Sequence, residues 1–163
     1  MSVDERSTTQ RLSLLGAVLV TVSFALPFYT CTRHVDAAGE AVEIEEGAPV
    51  PEGVTAVVEL HRPMDGLDLS DLDEYPLLLT FLWPIALVGA RRIWPRMREL
   101  RVLTALESLL ILWTGWVFHA FSTVGDRAWG AYVAFAGLAL YAGAFVMDLV
   151  HRVRRKTLPK PQP

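Results

Sequence analysis

The sequence predicts an all-α membrane protein: a four-transmembrane-helix bundle with a small extracytoplasmic β-hairpin segment between helices 1 and 2. Three observations predict it. The chain is 52% hydrophobic, and that excess comes in long blocks rather than at helical or strand spacing. Twelve of the 15 basic residues fall in three short stretches: Arg6 and Arg11; Arg91, Arg92, Arg96, Arg98 and Arg101; and Arg152, Arg154, Arg155, Lys156 and Lys160. The acids concentrate elsewhere. The segment 32–75 holds 12 of them against Arg33 and Arg62, a charge of −10 within a chain whose net charge is −3. Basic residues stay on the cytoplasmic side during insertion, so both termini and the middle loop are expected inside and the acidic segment outside.

The blocks give the organisation of a single domain over residues 1–163. Residues 12–29 carry no charge and form the first predicted span. Residues 76–93 form the second, with Arg91 and Arg92 snorkelling at its inner end. Residues 102–124 form the third and contain one carboxylate, Glu107. Residues 128–150 form the fourth, with Asp148 near its inner end, and residues 151–163 make a basic cytoplasmic tail. Each block approaches the roughly 20 apolar residues that a span requires. The first has basic residues before it, as a signal peptide does. It ends in Pro27-Phe28-Tyr29 rather than a small-x-small site, so it is expected to remain as an anchor.

The outer segment, residues 30–75, has two alternating stretches. In Ala41-Val42-Glu43-Ile44-Glu45 the acids point away from the apolar residues. In the second stretch Val54, Ala56, Val58 and Leu60 make one face. Gly47 to Gly53 lies between them with two prolines and must turn. This spacing predicts a β-hairpin over 41–60. An isolated hairpin is marginal in water, so its apolar face is expected to rest on the helix tops, a second copy or a partner. Asp71, Asp73 and Glu74 then precede Pro76 and suit the cap of the second span. The acids of 65–74 lack the alternate ligand spacing of a calcium loop.

Small residues recur on one face of the fourth span: Gly130, Ala134, Gly137, then Tyr141, Ala144 and Asp148. Such stripes let helix backbones approach in lipid. Ser13, Gly16, Val20, Ser23 and Pro27 make a similar stripe in the first span, and Thr104, Glu107, Ile111, Thr114 and Phe118 align in the third. The three stripes are expected to face one another. Pro84 is expected to kink the second span.

Glu107 is the sharpest candidate for chemistry. At 1.5 Å per residue it lies about 9 Å to the cytoplasmic side of its span's midpoint. An intramembrane carboxylate is costly and often functional. It is expected to pair with Arg11, Arg91, Arg92 or Tyr141; a proton-coupled carrier is the alternative use. His119 is the other intramembrane polar residue. It has no second histidine at membrane depth, so no haem site is expected. Cys31 and His34 supply half a metal site. The single cysteine excludes the paired-thiol chemistry of membrane disulfide-forming enzymes. Gly-rich phosphate loops and hydrolase triads are absent from the sequence. Arg91, Arg92, Trp94 and Arg96 suit anionic lipid headgroups at the inner interface. No cofactor, metal or nucleic-acid partner is expected.

Two resemblances follow from these residues. An outer β-containing segment between spans one and two resembles the claudin layout, although the claudin Trp-Gly-Leu-Trp stretch and paired cysteines are absent. Leu26-Pro27-Phe28-Tyr29, Gly66-Leu67-Asp68-Leu69, Gly130-Ala131-Tyr132 and Ala136-Gly137-Leu138 are similar to short motifs in a broad group of small four-helix bacterial membrane proteins of unknown function. That resemblance implies the bacterial cytoplasmic (inner) membrane and no particular activity. The expectation is a non-catalytic accessory or scaffolding subunit, not an enzyme. Its partners would be the lipid bilayer and other membrane proteins or its own copies. A small proton-coupled transporter or channel-like oligomer using Glu107 is the alternative.

Overall fold

The structure, a computed structural model, describes residues 3–44, 49–66, 75–94, 101–123 and 125–157. Four helices account for most of it: α1 (Val3–Ser23), α2 (Tyr75–Ile93), α3 (Arg101–Phe121) and α4 (Trp129–Thr157). A small sheet is built from β1 (Tyr29–Val35), β2 (Thr55–His61) and β3 (Asp126–Arg127), in the order β2-β1-β3. Three helical segments are long and apolar enough to cross a membrane: Tyr75–Ile93, Val102–Phe121 and Trp129–Arg154. The molecule is therefore mostly helical, with three candidate membrane-spanning helices and a small three-stranded sheet.

α1 differs from the other three helices. It begins at Val3 in a polar stretch that includes Asp4, Arg6, Gln10 and Arg11, so its apolar part starts only at Leu12. It also stops earlier than the apolar run does. Tightened turns close it, with Ala25 N–H donating to the Val22 carbonyl at 3.1 Å and Leu26 N–H to the Ser23 carbonyl at 3.1 Å. Pro27 then lacks an N–H and forces Leu26 out of helical conformation. The expected span over 12–29 thus contains a helix ending at Ser23, a turn, and the first residue of a strand.

The strand pairing also differs from the sequence-based expectation. β2 forms where alternation places it, but its partner is β1 and not residues 41–45. The pairs run antiparallel from Tyr29 with His61 to Val35 with Thr55. Ala41 contributes only an isolated bridge to Val35, and residues 42–44 carry no strand. The physical reason is composition. Tyr29, Thr30, Thr32 and Val35 are aromatic or β-branched, which suits a pleated surface. The 41–44 stretch has one acid and no long run of such residues. The return toward β2 turns at Pro51–Val54, where Gly53 has φ +87°. Glu45, Gly47 and Ala48 lie outside the described residues, as do Asp71, Asp73 and Glu74, the expected cap of α2.

The sheet is fastened to the bundle at one junction. The Phe28 carbonyl accepts from Ala128 N–H at 3.1 Å, and the Pro27 carbonyl accepts from Gly130 N–H at 2.8 Å. The start of α4 thus gives amides that have no intrahelical acceptor to the chain leaving α1. Gly130 is required there, because a Cβ would lie 2.9 Å from Leu26 Cβ and overlap the Pro27 carbonyl. Two of the short motifs read from the sequence, Leu26-Pro27-Phe28 and Gly130-Ala131-Tyr132, are therefore two halves of one contact.

Below the junction, Phe28 is fully buried among Phe81, Phe118 and Phe121, with ring centroids 5.5–6.0 Å apart. Aromatic pairs in tilted or edge geometry contribute about 0.5–1.5 kcal/mol each beyond area burial. Val20, Ala131, Ala134 and Leu138 complete this core. α1 lies along α4 over most of its length and along α2 to a lesser extent, while α3 touches α4 and α2 lightly. The stripe of α1 therefore meets α4 and α2; it joins α3 only through the shared aromatic core. α4 runs to Thr157, so the expected tail at 151–163 starts as a continuation of the helix.

Candidate functional site

The stripe on α4 is buried from Gly130 to Ala144, and Asp148 at its end is partly exposed. Gly130, Ala134, Gly137, Tyr141 and Ala144 all face inward. Where α4 crosses α1, Gly137 opposes Gly16. A Cβ on Gly16 would lie 2.6 Å from the Tyr141 nitrogen and 2.7 Å from the Gly137 carbonyl oxygen. A Cβ on Gly137 would lie 2.9 Å from the Val20 nitrogen. Backbone meets backbone here, a close approach that small residues on both helices permit.

One turn further along α4, Tyr141 reaches a buried ion pair. Glu107 is fully buried. Arg91 donates to both carboxylate oxygens, through Nη1 to Oε1 at 2.9 Å and through Nη2 to Oε2. The Tyr141 hydroxyl donates to Oε1 at 2.7 Å. Of the cations expected within reach of Glu107, the structure brings Arg91 to it. Arg91 thus turns into the bundle, with 13% of its side chain exposed, instead of meeting headgroups. The planar guanidinium matches a carboxylate with two parallel bonds, which a lysine cannot do. Arg92 and Trp94 are exposed at the C-terminal end of α2. Arg96 lies outside the described residues.

A second polar link sits about two turns of α2 nearer the sheet. Trp83 donates its indole N–H to Thr114 Oγ1 at 2.8 Å, and its ring meets Tyr141 edge-on at 5.3 Å. Trp113 donates to Thr80 Oγ1 at 3.2 Å. The sequence stripe contained Thr114 but gave no sign of its indole partner. A tryptophan in the middle of an apolar span, opposite a threonine on the next, is the signal that was available. Thr21 Oγ1 also lies 3.1 Å from the Phe81 carbonyl, close to Pro84, whose missing N–H interrupts the α2 ladder.

These groups tie α2, α3 and α4 together at two depths. Glu107 is fully buried and accepts three hydrogen bonds, two from Arg91 and one from Tyr141, while Arg91 Nε is buried without a partner among the described residues. His119 is exposed on α3, and its carbonyl accepts from Ser122 Oγ at 2.8 Å. Asp148 pairs with Arg152 one turn along α4. Cys31 and His34 lie on β1 at positions of opposite parity, so their side chains leave opposite faces of the strand and do not converge on one metal.

The sheet presents a different kind of surface. Val58 is 62% exposed and Leu60 57%. Ala56 is exposed beside them and Val54 is half-buried. The face expected to rest on something is bare in the monomer. Its cross-strand neighbours are His34, Thr32 and Thr30. On the opposite face Tyr29 stacks on His61 at 5.0 Å, and Arg33 lies 3.5 Å from Glu59. Exposed pairs such as the latter add little stability. The segments that flank the strands carry exposed acids, Glu40, Glu43, Glu52 and Asp65.

No family model matches this chain, and neither a curated protein nor a solved structure matches it.

Proposed function

We propose that this protein is a non-catalytic accessory or scaffolding subunit of the bacterial cytoplasmic membrane, which docks onto other membrane proteins or its own copies through its outer sheet. The observation that carries this reading is the bare apolar face of β2, with Val58 and Leu60 more than half exposed; the arginine distribution supports an outer position for that segment. Exposed apolar residues grouped on one face and rimmed by polar groups mark interaction surfaces.

The topology belongs to the same proposal. α1 serves as a fourth span, with both termini and the loop after α2 in the cytoplasm. The arginine distribution supports the orientation. The Gly16–Gly137 crossing supports α1 as a membrane element, since it holds the helix against the most apolar helix of the bundle.

A proton-coupled carrier built on Glu107 is the second reading, favoured by the position of a carboxylate within an apolar helix. The bidentate grip of Arg91 and the Tyr141 hydrogen bond count against it. The test of the docking reading is a Val58→Asp, Leu60→Asp double variant expressed in the native membrane. It should insert normally and migrate without the higher-mass complex that the unaltered chain forms. An unchanged complex in mild detergent would contradict it.

A further inference from the structure

The bare face and the free edge of the sheet belong to the same three residues. Thr30 pairs with Asp126 of β3, and the His34 carbonyl accepts from Val42 N–H at 2.8 Å. Even-numbered residues of β1 thus direct their backbone polar groups away from β2. Direction alternates along a strand, so Tyr29, Cys31, Arg33 and Val35 exchange hydrogen bonds with β2. Their partners are His61, Glu59, Val57 and Thr55. The N–H and C=O groups of Ala56, Val58 and Leu60 therefore point to the other side, where no strand lies among the described residues.

That edge lacks the lysine and proline that commonly protect one, and the single carboxylate of β2, Glu59, leaves the opposite face beside Arg33. β2 is seven residues long, reads Thr-Ala-Val-Val-Glu-Leu-His, and contains no lysine and no proline. Long apolar edges of this kind template the pairing of another strand. The charge says which strand. The surrounding segment carries 12 acids against two arginines. A second copy brings the same charge of −10 and is repelled, whereas a basic segment is attracted.

Resting on the docking reading above, we infer that β2 binds by strand addition. Its edge takes an extended, lysine- or arginine-bearing segment of a partner protein, which hydrogen-bonds to Ala56, Val58 and Leu60 and sets alternate apolar side chains against Val58 and Leu60. Main-chain bonds supply affinity in this mode, and alternate side chains with flanking charge supply specificity.

Amide hydrogen exchange on the full chain in lipid nanodiscs tests this, with a short blocked peptide in which valine alternates with lysine as the probe. At roughly ten times its Kd the peptide should slow exchange at Ala56, Val58 and Leu60 by about tenfold, as mass action requires for amides that exchange only from the free state. Val57 and Glu59, already in the ladder, should not change. The same peptide with glutamate for lysine should not bind. Val58→Pro removes an outward N–H and no β1 bond, so it should abolish peptide binding while Val57 and Glu59 keep their slow exchange. Peptide binding without slowing at the three amides would overturn strand addition and leave face docking intact, because Val58→Asp would still remove it. Failure of the peptide to bind would overturn the inference outright. Slowing that grows with protein concentration and needs no peptide would assign the edge to a second copy, and would overturn it equally.

Discussion

Tyr141 of α4 donates its hydroxyl hydrogen bond to Glu107 of α3 at 2.7 Å, on the same carboxylate oxygen that accepts from Arg91 of α2. Three helices therefore meet on one buried side chain. α3 lies less closely against its neighbours than α1 does against α4, so this point, the Trp83–Thr114 and Trp113–Thr80 bonds and the Phe118 aromatic packing together set its registration.

The first prediction concerns that junction. Glu107→Leu leaves the Arg91 guanidinium buried without its anion, and should cost on the order of 3 kcal/mol. Glu107→Gln keeps an acceptor and should cost less. Replacing both residues, Arg91→Leu with Glu107→Leu, should recover most of the loss, because no uncompensated charge remains. Unfolding equilibria in mixed detergent micelles measure the series. Additive single effects in the double variant would contradict the pairing.

The second prediction concerns glycines. Gly137→Ala and Gly16→Ala place a methyl group within 3 Å of the opposing backbone, which cannot move aside as a side-chain tip does. Each should cost about 1–3 kcal/mol. Gly143 lies on the same helix as Gly137 with open space where its Cβ would be. Gly143→Ala should leave stability unchanged within about 0.5 kcal/mol, or raise it slightly through helix propensity. Equal losses at all three positions would mean that the crossing is not closely packed.

The third prediction tests the Trp83–Thr114 bond. Trp83→Phe keeps an aromatic ring near Tyr141 and removes the donor. Polar links between membrane helices average about 0.6 kcal/mol, so a double-mutant cycle with Thr114→Val should return a coupling of about that size. A coupling of zero would mean that the hydroxyl finds another partner at no cost.

The fourth prediction concerns orientation. With Cys31 replaced by serine, cysteines at Gly39 and Glu52 should react with an impermeant maleimide in intact cells. A cysteine at Thr157 should react only after the membrane is opened. Reaction at Thr157 in intact cells would reverse the topology.

The long helices were legible because their signal is local. A run of apolar residues bounded by arginines needs no knowledge of the rest of the chain, and α2 begins at Tyr75 and ends at Ile93, close to the run's own limits. The α4 stripe was legible for the same reason: steps of three and four put Gly130, Ala134 and Gly137 on one face whatever they meet. The sheet was not legible, because pairing is non-local. Alternation found β2, but β1 alternates threonine with mixed residues, and its first residue, Tyr29, falls within the apolar run of the expected first span. What decides the matter is Pro27 and the acceptance of its carbonyl by Gly130, a contact between residues more than a hundred positions apart. Arg91 carries two expectations from the sequence, headgroup contact and pairing with Glu107, and the structure has the second. Charge count marks the cytoplasmic end of a span, and it does not say which of two adjacent arginines turns inward.

The central claim is that the bare face of β2 is where this protein meets its partner. Photocrosslinking from a diazirine side chain at Val58, in native membranes, tests it most directly, with Leu112 on the exposed face of α3 as the comparison. The account predicts a discrete protein adduct from Val58 and lipid adducts from Leu112. A discrete protein adduct from Leu112 with none from Val58 would contradict it, and would move the interface from the outer sheet to the helices.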